Sequence, residues 1–295
     1  MRNIPDFAAT PVRCRCVELK QFLSWLVALA AQVGIAALAV LAAGSAGARD
    51  LRLATTTSTD NSGLLKVILP QFEAKYGLKV RVIAVGTGKA LKLGENGDAD
   101  VLLVHAPALE LAFMEAGHGV NRRKVMHNDF LVVGPTADPA RIHGSRDAVA
   151  AFKQIADKGA KFISRGDKSG TEEKEMSFWP LTGVEPVGAA WYVSAGLGMG
   201  EVLTMAAELQ GYTLTDRGTY AAYRAKSGLQ VMVEGDPRLF NPYSVIAVNP
   251  AKYPDIDFKD ATSFSDWITS AEGQKAISDF RIDGEQVFFP DAQIP

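Results

Sequence analysis

Five consecutive hydroxyl residues, Thr55–Thr59, lie between two apolar stretches that predict different structures. Leu51–Ala54 before them predicts a short buried strand, whereas the three- and four-residue apolar spacing after them predicts a helix. With Thr59 or Asp60 as its N-cap, that helix would direct the free N–H groups of its first turn at the hydroxyls. Hydroxyls, backbone donors and a helix dipole together suit an anion. By itself, the stretch is equally consistent with a plain threonine-rich turn.

Two further predicted strands also end in small or hydroxyl-bearing residues. Lys79–Val85 leads into Gly86-Thr87-Gly88, where the two glycines allow close backbone approach to a small ligand. Lys161–Ile163 leads into Ser164–Thr171, and a helix follows that segment. Arg165 lies in this second segment. A guanidinium presents a fixed fork of donors to an oxyanion, so we favour Arg165 as a ligand over an ordinary surface arginine.

Strands and helices alternate at short spacing along the chain, which predicts an open parallel α/β sheet. Ligands of such sheets bind beyond the carboxyl ends of the strands, at a topological switch point. The three polar loops come from both halves of the chain. We therefore expect two lobes that face each other across a cleft and enclose one oxyanion.

Residues 1–48 differ in composition from the rest of the chain and predict an export signal. Basic residues precede the apolar run Phe22–Ala43, and the small residues Ala46 and Ala48 form a cleavage pattern just before Arg49. A membrane anchor is the alternative, because the apolar run is about as long as a spanning helix. We favour cleavage before Arg49 and a soluble exported protein.

Composition excludes several classes of function. The chain of 295 residues is 47% hydrophobic, so it can bury a substantial core, and its net charge of −2 argues against nucleic-acid binding. Cys14 and Cys16 both lie in the signal segment, which leaves the mature chain without a disulfide, a thiol nucleophile or a thiolate metal site. The four histidines show no metal-binding spacing. We expect no catalytic residue, metal or cofactor.

These motifs resemble those of the tungstate-binding proteins of Tup-type bacterial ABC uptake systems. The resemblance covers nearly all of the chain after the signal and rests on the segments Ala54–Thr59, Val85–Gly88, Lys92–His105, Asn128–Phe130, Ser164–Thr171, Gly198–Gly200, Tyr212–Tyr220, Val233–Pro237 and Asn241–Tyr243. It implies a type II periplasmic-binding-protein fold with two open mixed α/β sheets around a central anion-binding cleft. Two chain crossovers would divide the mature protein into lobe I, residues 49–134 and 242–295, and lobe II, residues 135–241.

The resemblance also implies the ligands and the role of the protein. Hydroxyls, backbone N–H groups and one arginine would bind the anion, and the matching positions are Thr56, Thr57, Ser58, Thr87, Arg165, Ser169, Gly170 and Thr171. Which of the first three hydroxyls contacts the anion stays open. His105 and Asp167 are expected beside the ligands, with Asp167 holding Arg165 or capping the next helix. The protein would be a periplasmic monomer that delivers tungstate, or molybdate, to a membrane permease.

Three alternative functions remain open at this point. A phosphate-binding protein has a similar arginine loop, but it carries an acidic residue where this chain has His105. Because that carboxylate accepts the proton of hydrogenphosphate, its loss favours a fully deprotonated anion. A secreted hydrolase is less well supported, since no Gly-x-Ser-x-Gly motif is present. A sensory or adhesin module on the same fold is the third alternative.

Overall fold

Residues 50–292 are the part of the chain that the structure, a computed structural model, describes. The predicted signal segment and its cleavage point lie outside these residues. Within them, no helix combines the length and the apolar character that a membrane span requires.

Strands and helices alternate through most of residues 50–292. The strands are β1 (Leu51–Thr56), β2 (Val80–Val85), β3 (Val101–Val104), β4 (Gly119–Gly134), β5 (Phe162–Ser164), β6 (Tyr192–Ser194), β7 (Thr213–Asp216), β8 (Gln230–Val233), β9 (Phe240–Val248), β10 (Arg281–Ile282), β11 (Glu285–Gln286) and β12 (Phe289–Pro290). The helices are α1 (Thr57–Asn61), α2 (Leu64–Tyr76), α3 (Thr87–Asn96), α4 (Pro107–Glu115), α5 (Ala148–Asp157), α6 (Gly170–Thr182), α7 (Met199–Glu208), α8 (Arg217–Ser227), α9 (Phe258–Ile268) and α10 (Ala271–Asp279).

The main sheet is mixed, with parallel strands around β1 and antiparallel strands beyond β3. β1 pairs in parallel with both β2 and β3, and β3 pairs antiparallel with β9. The long strand β4 pairs antiparallel with β9 and also with β7, β8 and β12. A separate parallel pair joins β5 to β6. The predicted α/β class is confirmed. The parallel sheet predicted from the alternation is correct for β1–β3 but wrong beyond β3, because β9 and β4 join antiparallel and make the sheet mixed.

Buried apolar side chains form four clusters on the faces of these strands. Two clusters draw on residues 51–126 and 243–288, joined by Ala221 of α8, and the other two draw on residues 130–239. β4 contributes to both groups: Val125 and Met126 belong to the first group, whereas Phe130 and Val132 belong to the second. The change from one group to the other therefore falls within this single strand.

The helix after the hydroxyl run begins differently from the sequence prediction. Thr56 caps the short helix α1, because its side chain accepts a hydrogen bond from the backbone N–H of Thr59 at 3.2 Å. Gly63, with φ of +81°, then separates α1 from α2. The predicted N-cap at Thr59 or Asp60 is therefore wrong: the chain becomes helical directly at the end of β1, before the apolar spacing that indicated the helix.

An ion pair between Arg52 and Asp100 fastens β1 to the start of β3. The Arg52 Nη2 and Nε atoms lie 2.6 and 3.0 Å from the two carboxylate oxygens, and the Arg52 backbone N–H donates at 2.8 Å. Asp100 is fully buried and also accepts from the backbone N–H of Asp257 at 3.1 Å. Burial alone would raise the pKa of Asp100, but the hydrogen bonds from Arg52 and Asp257 and the charge of Arg52 together outweigh it and hold the pKa below its ordinary value.

We expect Asp100→Asn to lower the free energy of unfolding by about 3 kcal/mol, since it leaves Arg52 without its charge partner in a mostly buried position. Urea denaturation monitored by circular dichroism measures this change. Asp279→Asn is the matched control, because the Lys275–Asp279 pair is exposed and its loss should cost about 0.5 kcal/mol or less. Equal shifts of the two midpoints would contradict the structural role assigned to Asp100.

Candidate anion-binding site

The guanidinium of Arg165 lies at the centre of the candidate site, just after β5, and the residue is 1% exposed. Nη1 donates to the hydroxyl of Ser58 at 3.2 Å, and Nη2 donates to the hydroxyl of Thr57 at 3.0 Å. Nη2 also donates to the carboxylate of Asp167 at 2.5 Å. The buried Nε atom has no acceptor among residues 50–292. A buried cation with an unpaired donor is unfavourable, which suits the position to an anionic ligand.

The first hydroxyls of the run have different partners. Thr55 donates to the backbone carbonyl of Leu103 at 2.7 Å and so joins β1 to β3. Thr56 accepts from the backbone N–H of Thr59, and the hydroxyl oxygens of these two threonines are 2.8 Å apart. The hydroxyls of Thr56 and Thr59 therefore stabilise the first turn of α1.

Thr57 and Ser58, in contrast, face Arg165. Their hydroxyl oxygens accept from the guanidinium, so each hydroxyl keeps its own hydrogen for another acceptor. The sequence left open which hydroxyls of the run could contact an anion, and the contacts of the run favour these two.

The glycine-flanked Thr87 loop lies against the arginine loop in backbone contact. The N–H of Gly88 donates to the carbonyl of Lys168 at 3.2 Å. A Cβ atom on Gly170 would lie 3.0 Å from the carbonyl oxygen of His105 and 3.1 Å from the hydroxyl oxygen of Thr87. The loops after β2, β3 and β5 therefore meet at Gly170, where any side chain would crowd them.

Several donors at this junction lack acceptors. The hydroxyls of Thr87 and Thr171 are buried and have no hydrogen-bond partner in the described part of the chain. Ser169 caps α6 by accepting from the N–H of Glu172 at 3.2 Å, which leaves its hydroxyl hydrogen free. The first turns of α3 and α6 add backbone N–H groups, as helix N-termini do. Such an arrangement can bind a small anion with several acceptor oxygens.

His105 follows β3 and lies beside the site as a neutral residue. Its Nε2 atom is 3.1 Å from the Thr56 hydroxyl and its Nδ1 atom is 3.0 Å from the side-chain oxygen of Asn241. Its ring stacks on that of Tyr243 at 4.6 Å. Burial lowers the pKa of His105 to about 4, outweighing the charge of Asp216 and the hydrogen bond to Asn241, and the charge of Arg165 acts in the same direction as burial. The residue therefore adds no positive charge near neutral pH.

Four polar residues to which the sequence analysis gave no role extend this network. The side-chain nitrogen of Asn241 donates to the oxygen of Asn128 at 2.6 Å, and the nitrogen of Asn128 donates to Asp216 at 3.3 Å. Thr219 contacts Asp216 at 2.6 Å and the carbonyl of Ser58 at 3.1 Å. The sequence did offer one indication of their importance, because all four lie within segments that carry the resemblance to the Tup-type proteins: Asn128–Phe130, Tyr212–Tyr220 and Asn241–Tyr243.

Other parts of the described surface fit a small anion less well. Grooves of about 810 and 620 Å³ are lined by residues such as Lys124 and Asp266, and His127 and Arg217, respectively. Neither groove includes a residue of the three polar loops. No group of three or more His, Cys, Asp or Glu side chains in residues 50–292 could hold a metal ion.

Comparisons with known proteins identify the family. A model described as a PBP superfamily domain matches residues 41–272. The tungstate-binding protein TupA of Peptoclostridium acidaminophilum is 49% identical over 244 residues, which cover 81% of this chain and 85% of that protein. This chain belongs to the TupA family. The resemblance noted from the sequence is thereby confirmed.

Solved structures of TupA-family proteins share the fold. The crystal structure of the tungstate ABC transporter from Geobacter sulfurreducens is 56% identical, with a TM-score of 0.73 over 79% of this chain and 99% of that chain. The tungstate-binding protein TupA of Desulfovibrio alaskensis G20 is 49% identical, with a TM-score of 0.71 over 83% of this chain and 100% of that chain. The mixed α/β arrangement is that of the periplasmic binding proteins.

We expect His105 to make folding sensitive to acid. Its folded pKa of about 4 lies below its ordinary value of 6.5, so between these values the unfolded chain binds more protons than the folded one. The neutral His105 therefore contributes stability that is fully present above pH 6.5 and is lost as the pH falls towards 4. The loss in the free energy of unfolding is at most about 3 kcal/mol.

Urea unfolding at several pH values, with His105→Gln for comparison, measures this effect, and the variant should lose less stability between pH 7 and pH 4. Burial raises the pKa of Glu175 to about 7, which acts in the opposite direction but is common to both proteins. Parallel pH profiles for the two proteins would argue against a buried neutral His105.

Proposed function

We propose that this protein is the extracytoplasmic binding component of an ABC importer that captures tungstate and delivers it to a membrane permease. The observation that carries the proposal is the buried guanidinium of Arg165, whose Nε atom, like the buried hydroxyls of Thr87 and Thr171 at the neighbouring loop junction, has no hydrogen-bond partner within residues 50–292. The identity of the anion comes from the relatives, which include a tungstate-binding protein TupA and a tungstate ABC transporter. A transport-binding protein binds its anion without chemical turnover, so we assign no enzymatic activity.

We assign the anion's oxygens to donors from three loops. Arg165 offers Nε, the α1 segment and the Thr87 loop offer hydroxyls, and the start of α6 offers hydroxyls and a backbone N–H. The proposed ligands are Thr57, Ser58, Thr87, Arg165, Ser169, Gly170 and Thr171. Thr56, which the sequence resemblance included, supports α1 in this proposal, because its hydroxyl lies between Thr59 and His105.

The donors favour an anion that carries no proton. Hydrogenphosphate would need an acceptor for its hydrogen, but Asp167 already accepts from Arg165 and from the N–H of Ser169 at 3.2 Å. The Nε2 atom of His105 faces Thr56. Phosphate is therefore the second candidate. Tungstate and molybdate have the same charge and shape, and the preference for tungstate rests on the relatives.

We also propose the two-lobed organisation, with lobe I formed by residues 49–134 and 242–295 and lobe II by residues 135–241. The two groups of hydrophobic clusters support it, and they favour a first crossing within β4, between Met126 and Phe130. The α1 segment and Thr87 would belong to lobe I and the arginine loop to lobe II. Binding that engages both would shift the population towards a closed cleft.

The proposed site of action is the periplasm. The periplasmic-binding-protein fold and the predicted signal segment, residues 1–48, both support export. We propose that the mature protein, beginning at or near Arg49, acts as a monomer.

An anion panel tests the proposed function. Titration calorimetry on the mature protein should show tight binding of tungstate or of both tungstate and molybdate, and much weaker binding of hydrogenphosphate, because every proposed ligand is a donor. Sulfate, which like tungstate carries no proton at neutral pH, is included to measure the effect of anion size. Preferential binding of phosphate would replace the first candidate with the second.

We expect Arg165→Ala to weaken tungstate binding by about 2–5 kcal/mol, since it removes the guanidinium donors and leaves the carboxylate of Asp167 without its charge partner at the site. Arg224→Ala is the matched control, because its guanidinium pairs with Asp283 at an exposed position. Calorimetry gives the affinities, and thermal unfolding checks that both variants fold. Wild-type affinity in Arg165→Ala would remove this residue from the site.

We expect tungstate to reduce the radius of gyration measured by small-angle X-ray scattering. Ser58→Ala and Thr171→Val, one on each side of the proposed cleft, should each weaken binding by about 1–3 kcal/mol, because each leaves an anion oxygen unpaired. Both should also reduce the compaction at a fixed subsaturating tungstate concentration. Ser263→Ala, on α9, serves as the control. An unchanged radius at saturating tungstate would rule out closure while leaving the anion site itself intact.

A further inference from the structure

Asp216 is a buried carboxylate that the anion site does not contact directly. It ends β7 and caps α8, and it is fully buried. It accepts from the backbone N–H of Thr219 at 2.9 Å, from the Thr219 hydroxyl at 2.6 Å and from the side-chain nitrogen of Asn128 at 3.3 Å. None of the ion pairs formed by residues 50–292 includes Asp216, so its partners are neutral donors.

A carboxylate can only accept hydrogen bonds, and this fixes the orientation of the two asparagines that follow. Asn128 must direct its nitrogen at Asp216, so its oxygen faces Asn241. Asn241 then directs its nitrogen at Asn128, and its oxygen faces the Nδ1 atom of His105. Each amide has one orientation that satisfies both neighbours.

The same requirement fixes the tautomer of His105 and the direction in which the Thr56 hydroxyl donates its hydrogen. Nδ1 must carry the hydrogen that Asn241 accepts, and because burial keeps the ring neutral, Nε2 is left as an acceptor. The Thr56 hydroxyl therefore donates to Nε2, and its oxygen accepts from the N–H of Thr59. The N-cap of α1 is the last member of the chain.

A second contact reaches α1 from the same carboxylate. The Thr219 hydroxyl, beside Asp216, lies 3.1 Å from the carbonyl oxygen of Ser58. Because the single hydrogen of the Thr219 hydroxyl goes to Asp216 at the shorter distance, its approach to Ser58 is a contact and not a second hydrogen bond. The first turn of α1 is thus held by hydrogen bonds at Thr56, through the two asparagines and His105. The residues so held, Thr57 and Ser58, are those that face Arg165.

We propose that Asp216 is a positioning residue for the anion site, because it sets the direction of a buried hydrogen-bond chain that ends at Thr56. The chain orients the first turn of α1, so that the hydroxyls of Thr57 and Ser58 are already directed at the anion before it binds. Preorganised donors bind more tightly than donors that must first be ordered. The effect on affinity rests on the proposed function, whereas the direction of the chain does not.

Asp216→Asn removes the acceptor-only end while keeping the shape of the side chain. Both asparagines and the histidine then have two compatible orientations. We expect the tungstate dissociation constant to rise about tenfold, the equivalent of one well-formed hydrogen bond. Asp257→Asn is the matched control, because Asp257 caps α9 outside the chain and its loss should leave the affinity unchanged.

An exchange variant separates direction from mere structural support. Combining Asn128→Asp with Asp216→Asn moves the carboxylate one place along the chain, where it still accepts from Asn241 and keeps every later bond in its original direction. We expect the affinity to return to within about threefold of the wild type, on the scale of the hydrogen bonds retained. A folded exchange variant that binds no better than Asp216→Asn would overturn the proposal, as would wild-type affinity in Asp216→Asn.

Nitrogen-15 NMR of histidine-labelled protein tests the direction of the hydrogen-bond chain in the absence of any ligand. The wild-type chain contains four histidines, and His105→Gln identifies the signal of interest. We expect a neutral ring protonated on Nδ1 at pH 7, and a mixture of tautomers in Asp216→Asn. An Nε2–H tautomer or an imidazolium in the wild type would refute the chain, even if the variants failed to fold. Failure of the wild type to bind tungstate, with the expected tautomer present, would count against the proposed function alone.

Discussion

The burial of one guanidinium is the constraint on which the rest of the candidate site depends. Arg165 is almost completely removed from solvent, and its cost of desolvation is offset by one carboxylate and two hydroxyls. Asp167 neutralises the formal charge of Arg165 and also accepts from Ser169, which joins the guanidinium to the start of α6. The pair is therefore neutral overall. Attraction for an anion must come from the direction of the donors and from the helix ends rather than from excess positive charge, in keeping with a chain whose net charge is −2.

The sheet explains how loops distant in sequence reach the same guanidinium. Because β1 lies between β2 and β3 and runs parallel to both, the loops after these three strands emerge at one edge of the sheet. Those loops carry Thr57, Thr87 and His105. β4 and β9 run antiparallel to each other and carry Asn128 and Asn241, whose Cα atoms pair in register. The long strands therefore add the hydrogen-bonded core behind the hydroxyls.

Local sequence was sufficient to identify those parts of the candidate site that lie within a single segment. The hydroxyl run, the glycine-flanked Thr87 and the arginine loop were recognisable because each follows an apolar strand. The start of α1 could not be recognised in the same way. The three- and four-residue apolar spacing indicates α2, whereas α1 begins earlier, at Thr57, where the N-cap Thr56 leaves no mark on that spacing. The N-terminal part of β4 also escaped prediction, because it contains consecutive charged residues from Arg122 to Lys124.

The buried polar chain was beyond sequence reasoning for a different reason. Asn128 and Asn241 are separated by 113 residues, and Asn128 and Asp216 by 88, so their contacts depend on strand register rather than on any local pattern. An isolated asparagine or aspartate in a sequence equally suits a turn or a helix cap. The resemblance to the Tup-type proteins marked the segments, but only the pairing of β4 with β7 and β9 brings these side chains into one hydrogen-bond network.

The crowding at Gly170 has a consequence for anyone who wishes to retune the protein towards a different anion. A Cβ atom at this position would meet the backbone oxygen of His105 at 3.0 Å, the hydroxyl oxygen of Thr87 at 3.1 Å and the Cβ atom of Ala106 at 3.4 Å, so a side chain there would press on two neighbouring loops at once. Substitution there would separate the loops rather than resize the space between them. Directed evolution of a sensor for another oxyanion should therefore keep Gly170 constant and vary the hydroxyl positions, where a change of length or branching alters the reach of a donor while the junction itself stays closed.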